Sequence, residues 1–221
     1  MNTLFVRALF VVSVSAQCLV AFAQQPSLAD QARALRETHA KATRTDFLGR
    51  TVGDIYRNDR FSFEIHRIPG WTSMDRGMMN VNEAVGREAL GMRAGVSGDI
   101  TGRVFGMQDE RGSSLIVAIN PVPGGTGSID PELLKKVLAA QLKNSIPSAE
   151  FFDEPVVLGD SIHQFTALRL TQKVGEQTLY QSTQLIPLEG YVLNLTVSAP
   201  SAERLTQALQ QLQPRLIWKA R

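Results

Sequence analysis

Three histidines, His39, His66 and His163, are the side chains of this 221-residue chain best suited to metal binding or to proton transfer near neutral pH. None falls in a His-x-x-x-His or His-Glu-x-x-His spacing, so no two share a helical face as zinc ligands do. Glu64 and His66 stand two apart in an alternating stretch and so share the outer face of one strand. With His163 brought in from elsewhere, they could hold a divalent ion or set up acid–base chemistry. The plainer reading is a solvated polar strand face. Ser113 and Ser114 lack the Gly-x-Ser-x-Gly frame that exposes a nucleophile, and read as turn residues. Gly91, Gly95, Gly98, Gly102 and Gly106 are followed by no Lys-Ser or Lys-Thr pair, so they fit flexible connection and close strand approach better than a phosphate cradle. Asp109-Glu110 and Asp153-Glu154 are adjacent carboxylates, which on a strand point to opposite faces and do not cooperate. Trp71, with Met74, Met78 and Met79 behind it, is the one cluster that could form an exposed, adaptable partner surface; the alternative is that it fills space beneath the first helix.

The chain opens on a segment that reads as a signal peptide. Arg7 precedes an apolar run from Ala8, which ends at the small-x-small pattern Ala21-Phe22-Ala23, placing the expected cleavage between Ala23 and Gln24. Ser13, Ser15 and Gln17 interrupt the run, leaving it short of the roughly 20 apolar residues of a membrane span. Cys18 is the one cysteine of the sequence and lies in the segment expected to be removed. The mature chain is then free of disulfides, thiolate metal sites and cysteine nucleophiles. Lys and Arg number 23 against 21 Asp and Glu, and loss of Arg7 leaves about +1, a balance that gives no footprint for nucleic acid or a membrane surface. The expected location is periplasmic or secreted, with no stable anchor after cleavage.

These groups must be positioned by the elements of the mature chain. Ser27 to Asp30 is a capping-box pattern ahead of Leu28, Ala32, Leu35 and His39, predicting a short helix in an N-terminal arm. From Tyr56 the period becomes two, with Phe61, Phe63 and Ile65 alternating against Ser62, Glu64 and His66 until Pro69-Gly70. Val81, Ala84, Val85, Glu88 and Met92 repeat at helical spacing after Asn80, which is placed to cap them. Residues 100–107 and 114–120 read as a hairpin, and Leu115 to Ile119, continuously apolar, as the sheet centre. Asp130-Pro131 starts a second helix over 131–142. Strands are expected at 156–158, 162–171, 178–187 and 191–198; the short turns between the later ones make them antiparallel. After Pro200-Ser201, the stripe Leu205, Ala208, Leu209 and Leu212 predicts a closing helix laid on the sheet.

This order resembles the PsbP-like superfamily, which includes photosystem extrinsic subunits, a eukaryotic Ran-binding protein and bacterial envelope proteins of the DcrB type. The residues that carry the resemblance are Tyr56-Arg57-Asn58, Phe61-Ser62-Phe63 and Pro69-Gly70-Trp71, the helix from Pro131, the meander from Gly159 to Val197 and the closing helix. The resemblance implies an α+β fold, a three-layer α/β/α sandwich around a mostly antiparallel sheet, with no shared catalytic residues and no cofactor. Domain boundaries follow: 1–23 signal peptide, 24–55 helical arm, 56–221 PsbP-like domain. The expected function is a non-enzymatic envelope protein that binds another envelope protein or stabilises an assembly. The rivals are a periplasmic hydrolase or metal-dependent enzyme built on Glu64, His66 and His163, and a small-ligand carrier with a pocket between sheet and helices.

Overall fold

The computed structural model describes residues 49–75, 78–79, 102–121, 130, 132–133, 135–136, 139–140, 143, 149–153, 158, 165–174, 176–188 and 190–219. The expected signal peptide, the arm helix, the helix after Asn80 and His163 lie outside them.

Alternation of apolar and polar residues produces two sheets, in which every strand pair is antiparallel. The smaller contains β1 (Arg50–Val52), β2 (Ile55–Asn58), β3 (Phe63–His66) and β11 (Leu216–Trp218), in the order β1-β2-β3-β11. The larger contains β4 (Thr72–Ser73), β5 (Arg103–Gln108), β6 (Ser114–Pro121), β7 (Glu150–Asp153), β8 (Thr166–Val174), β9 (Gln177–Leu188) and β10 (Tyr191–Ala199). Its order is β4-β5-β6-β10-β9-β8-β7. Helix α1 (Ala202–Leu212) follows β10, and a 3-10 turn at Gln213–Arg215 leads into β11.

The core sits on one face of the larger sheet. Leu193, Leu195, Val197 and Ala199 of β10 and Leu115, Val117 and Ile119 of β6 meet Leu205, Ala208, Leu209 and Leu212 of α1 in one cluster. Beside α1, the inner residues Tyr56, Phe63 and Ile65 of the smaller sheet join the same cluster, with the Tyr56 ring stacked on Phe105 at 5.3 Å. Burial pushes the Tyr56 phenol well above its ordinary pKa, against the opposing hydrogen bond from Asn58. On the opposite face, Met74 and Met79 pack on Ile116. Helical Glu132 approaches that side too, accepting from Thr166 Oγ1 at 3.3 Å. Asp130 is the cap, accepting the Glu132 amide at 3.0 Å. The α+β class and the mostly antiparallel sheet therefore stand.

Several boundaries differ from the sequence reading. The alternating stretch from Tyr56 is two strands: Asn58 Oδ1 accepts the Phe61 amide at 3.1 Å and Ser62 takes φ 57°, turning the chain so that β3 begins at Phe63. Strand pairing begins at Arg50, inside the segment assigned to the arm. The helical turn ahead of residue 80 is opened by Asp75, whose Oδ1 accepts the Met78 amide at 2.7 Å. β6 is an interior strand, as its continuous apolar run requires, yet the middle place belongs to β10. Four short strands, β1, β4, β7 and β11, go beyond those the sequence predicts.

Candidate functional site

A groove of about 290 Å³ opens where three segments converge: Pro69-Gly70-Trp71, the β5–β6 turn and the exposed side of α1. Each wall is held by local chemistry. Asp109 closes the turn, its Oδ1 accepting the amides of Ser113 at 2.7 Å and Arg111 at 2.9 Å, while Gly112 supplies the left-handed φ of 91°. Ser201 caps α1 by accepting the Arg204 amide at 3.2 Å. Arg204 then reaches across the groove: its Nη2 donates to Asp109 Oδ2 at 2.5 Å, and Nε and Nη2 each lie 3.3 Å from Ser113 Oγ. On the third wall the Trp71 amide donates to Ile68 O at 3.0 Å. The Trp71 carbonyl accepts from Arg67 Nη1 at 2.6 Å, and Arg67 is fixed by two 2.8 Å bonds to Asp54. The bond from Arg67 holds the Asp54 carboxyl below the usual carboxylate range.

The groove is thus preorganised, and the charges of Asp109 and Arg204 are committed to each other. Asp109 accepts from two amides and a guanidinium, and Ser113 Oγ accepts from that same guanidinium. Exposed Glu110, Arg111, Gln207 and Gln211 line the mouth, a surface suited to hydrogen bonding with a polar segment.

The second candidate, around Glu64, has a different geometry. Arg57 lies opposite Glu64 across β2–β3, and Lys219 follows β11 on the other side. Glu64 Oε1 takes the Arg57 Nε bond and the Lys219 Nζ contact at 2.6 Å, and His66 Nε2 stands 3.6 Å from Oε2. The structure therefore brings Glu64 and His66 together on one face, as their spacing requires. Lys219 first, then Arg57, lower the Glu64 pKa, against the opposing effect of burial. A carboxylate kept ionised by two cations is a poor proton acceptor, and those cations repel a third. Among the described residues no group of three or more His, Cys, Asp and Glu side chains is placed to hold a metal ion.

The Trp71 and methionine cluster is divided. Trp71, Met74 and Met79 are buried, the first as floor of the groove and the other two against Ile116, and Met78 alone is exposed, at 39%. A partner surface made of all four is not present, because the two faces of the sheet claim different members.

The sequence alone points to neither Arg204, Arg57 nor Lys219, and shows Asp109 only as one of two adjacent carboxylates. One signal was available: Arg204 stands three after the Ser201 cap, where the macrodipole favours an acid and a capping box would place Glu or Gln. A basic residue there answers to a partner outside its own helix.

No protein-family model matches the chain, and no curated protein matches it. Among solved structures, the fold is similar to cyanobacterial PsbP (CyanoP) from Synechocystis sp. PCC 6803, at 14% identity and a TM-score of 0.47, covering 78% of this chain and 99% of that one. It is similar also to LpqN, described as involved in cell envelope biogenesis of Mycobacterium tuberculosis, at 16% identity and a TM-score of 0.47, covering 72% and 83%. A point mutant of the protein Mog1 follows at 13% identity and a TM-score of 0.34, covering 70% and 81%.

Proposed function

We propose that the chain is an exported, non-catalytic binding protein of the cell envelope, and that the groove over Trp71 receives a polar segment of another envelope protein. The observation that carries this reading is the commitment of Arg204, Asp109 and Ser113 to one another. The groups that could act as base or nucleophile are used to hold the groove's shape, which is what a recognition surface needs. The exposed rim supplies donors, acceptors and both signs of charge without burying any of them, as at the polar edge of a protein interface. Export rests on the Arg7-to-Ala23 pattern. Among the described residues no helix is long and apolar enough to cross a membrane.

A photo-crosslinking residue at Gln207, in the groove wall, tests this in intact cells. A discrete envelope protein should be captured, should bind the purified chain, and should bind at least tenfold more weakly to Arg111→Glu. Turnover in a broad hydrolase screen that Ser113→Ala abolishes would replace binding with catalysis.

A further inference from the structure

The near-balance of charge over the whole chain is not spread evenly. Residues 49–68 and 213–219, which build the smaller sheet and lead into it, carry six Lys and Arg against three Asp and Glu. Strand alternation gives this sheet two faces. Tyr56, Phe63, Ile65 and Leu216 turn to the core. On the other face one row runs Arg50, Arg57, Glu64, Ile217 across all four strands in order. Val52 on β1 and Lys219 just past β11 alternate onto the same side. This outer face is open: Val52 is 65% exposed and Ile217 40%, on the two edge strands of the sheet. The side chains of Arg50, Arg57 and Lys219 are 65%, 41% and 44% exposed. Glu64 differs from its neighbours. Its side chain is 9% exposed, and its Oε1 takes both Arg57 and Lys219. One sunken carboxylate thus holds two cations in place, while the groups left outward are cations and aliphatic tips. Asp59 stands at the rim, 3.5 Å from Arg50, in an exposed pair that water screens.

We propose that this face docks, reversibly and without an anchor, on an anionic phospholipid surface. Four strands at their usual spacing make the face about 14 Å wide, with an aliphatic side chain on each edge strand and cations among them. Such a face meets a bilayer in matching layers. Val52 and Ile217 reach the acyl boundary, while the Arg and Lys stems lie along apolar surface and keep their charges level with the lipid phosphates. Each cation beside an anionic leaflet adds a modest attraction that salt screens. Several cations and two aliphatic tips acting together make the contact, and a zwitterionic surface supplies only the weaker, aliphatic half of it. A peptide partner is matched less well, because the two aliphatic side chains stand on opposite edges of the sheet and do not line one groove. The face shares no residue with the groove over Trp71, so it stands or falls independently of that groove.

The test is flotation of the chain, purified from the exported fraction, with vesicles of phosphatidylcholine alone or mixed equally with phosphatidylglycerol. Binding to the mixed vesicles is expected, with a loss of about tenfold or more on phosphatidylcholine alone and a similar loss in high salt. The double variant Val52→Ser/Ile217→Ser, changed only at exposed positions, should bind the mixed vesicles about tenfold more weakly. Arg50→Glu reverses one exposed charge and should weaken binding likewise, which keeps the test decisive should the first variant fail to fold; thermal melts report folding. The proposal is overturned if the mixed vesicles do not bind the parent, if both kinds of vesicle bind it equally, or if a folded variant binds as tightly as the parent. It is equally overturned if free glycerol phosphate displaces the vesicles, which assigns the cations to a single phosphate group and not to a surface.

Discussion

Asp109 and Arg204 are 95 residues apart in the chain and 2.5 Å apart in space. Their ion pair fastens the first turn of α1 to the β5–β6 turn, and so joins the element that covers the core to the loop that shapes the groove. Both side chains are largely buried, Asp109 at 14% and Arg204 at 24% exposure, which sets the pair apart from the exposed bridge between Arg50 and Asp59. Exposed pairs of that kind contribute little.

Asp109→Ala should therefore cost about 2–3 kcal/mol, since it removes a charged acceptor from two amides and a guanidinium together. Asp109→Asn should cost less, because an amide oxygen can still accept from Ser113 and Arg111. A double-mutant cycle with Arg204→Met, read by urea denaturation, should give a coupling of about 0.5–3 kcal/mol. Additive effects would mean that the two side chains do not act as a pair.

Acid should weaken the smaller sheet through Glu64. Its folded-state pKa is lowered from 4.5, by Lys219 above all, so its contribution is complete above the unfolded value and is lost as pH falls through the lowered one. Glu64→Gln should flatten the acid side of the curve of melting temperature against pH, leaving the region above pH 5 sloped as in the parent. An acid limb of unchanged slope would remove Glu64 from the account.

Leu205 is fully buried beneath α1, whereas Thr206 next to it is exposed. Leu205→Asp should lower stability by more than about 3 kcal/mol, the joint cost of a lost core side chain and a buried charge. Thr206→Asp should stay within about 0.5 kcal/mol. Chemical denaturation of both variants checks the contrast, and equal melts would place the leucine stripe in solvent.

That stripe was legible in the sequence because its period is local: Leu205, Ala208, Leu209 and Leu212 repeat at helical spacing, and all four are buried. The strands β8 to β10 were legible for the same reason, their alternation and short turns setting both face and direction. The division into two sheets was not. β11 is three residues long, and nothing in Leu216-Ile217-Trp218 names its partner Phe63-Glu64-Ile65. The same limit hid the groove, since Asp109 reads as half of a carboxylate pair until Arg204 is brought beside it. Glu64 and His66 could be placed on one face from spacing alone, while the cations that neutralise Glu64 come from β2 and from the end of β11.

Gly102 precedes the irregularity between Arg103 and Phe105, which pairs Arg103 with Ala118 and so turns it to the face opposite Phe105 and Met107, both of which face the core. A Cβ at this position would lie 2.2 Å from Asn120 Oδ1 and 2.9 Å from the Ile119 carbonyl oxygen, which belongs to the sheet backbone. Gly102→Ala should thus cost about 1–3 kcal/mol through overpacking. Gly53, at φ +59° with nothing near its would-be Cβ, is the control: alanine there meets only the left-handed backbone cost of about 1–2 kcal/mol. The two costs overlap in size and differ in origin, so the deciding measurement is a rescue. Adding Asn120→Ala should recover part of the Gly102→Ala loss by clearing the nearer clash, leaving the carbonyl contact in place, and should do nothing for Gly53→Ala. Full recovery would show that the backbone can yield at Ile119; no recovery would show that the Asn120 side chain was never the obstacle.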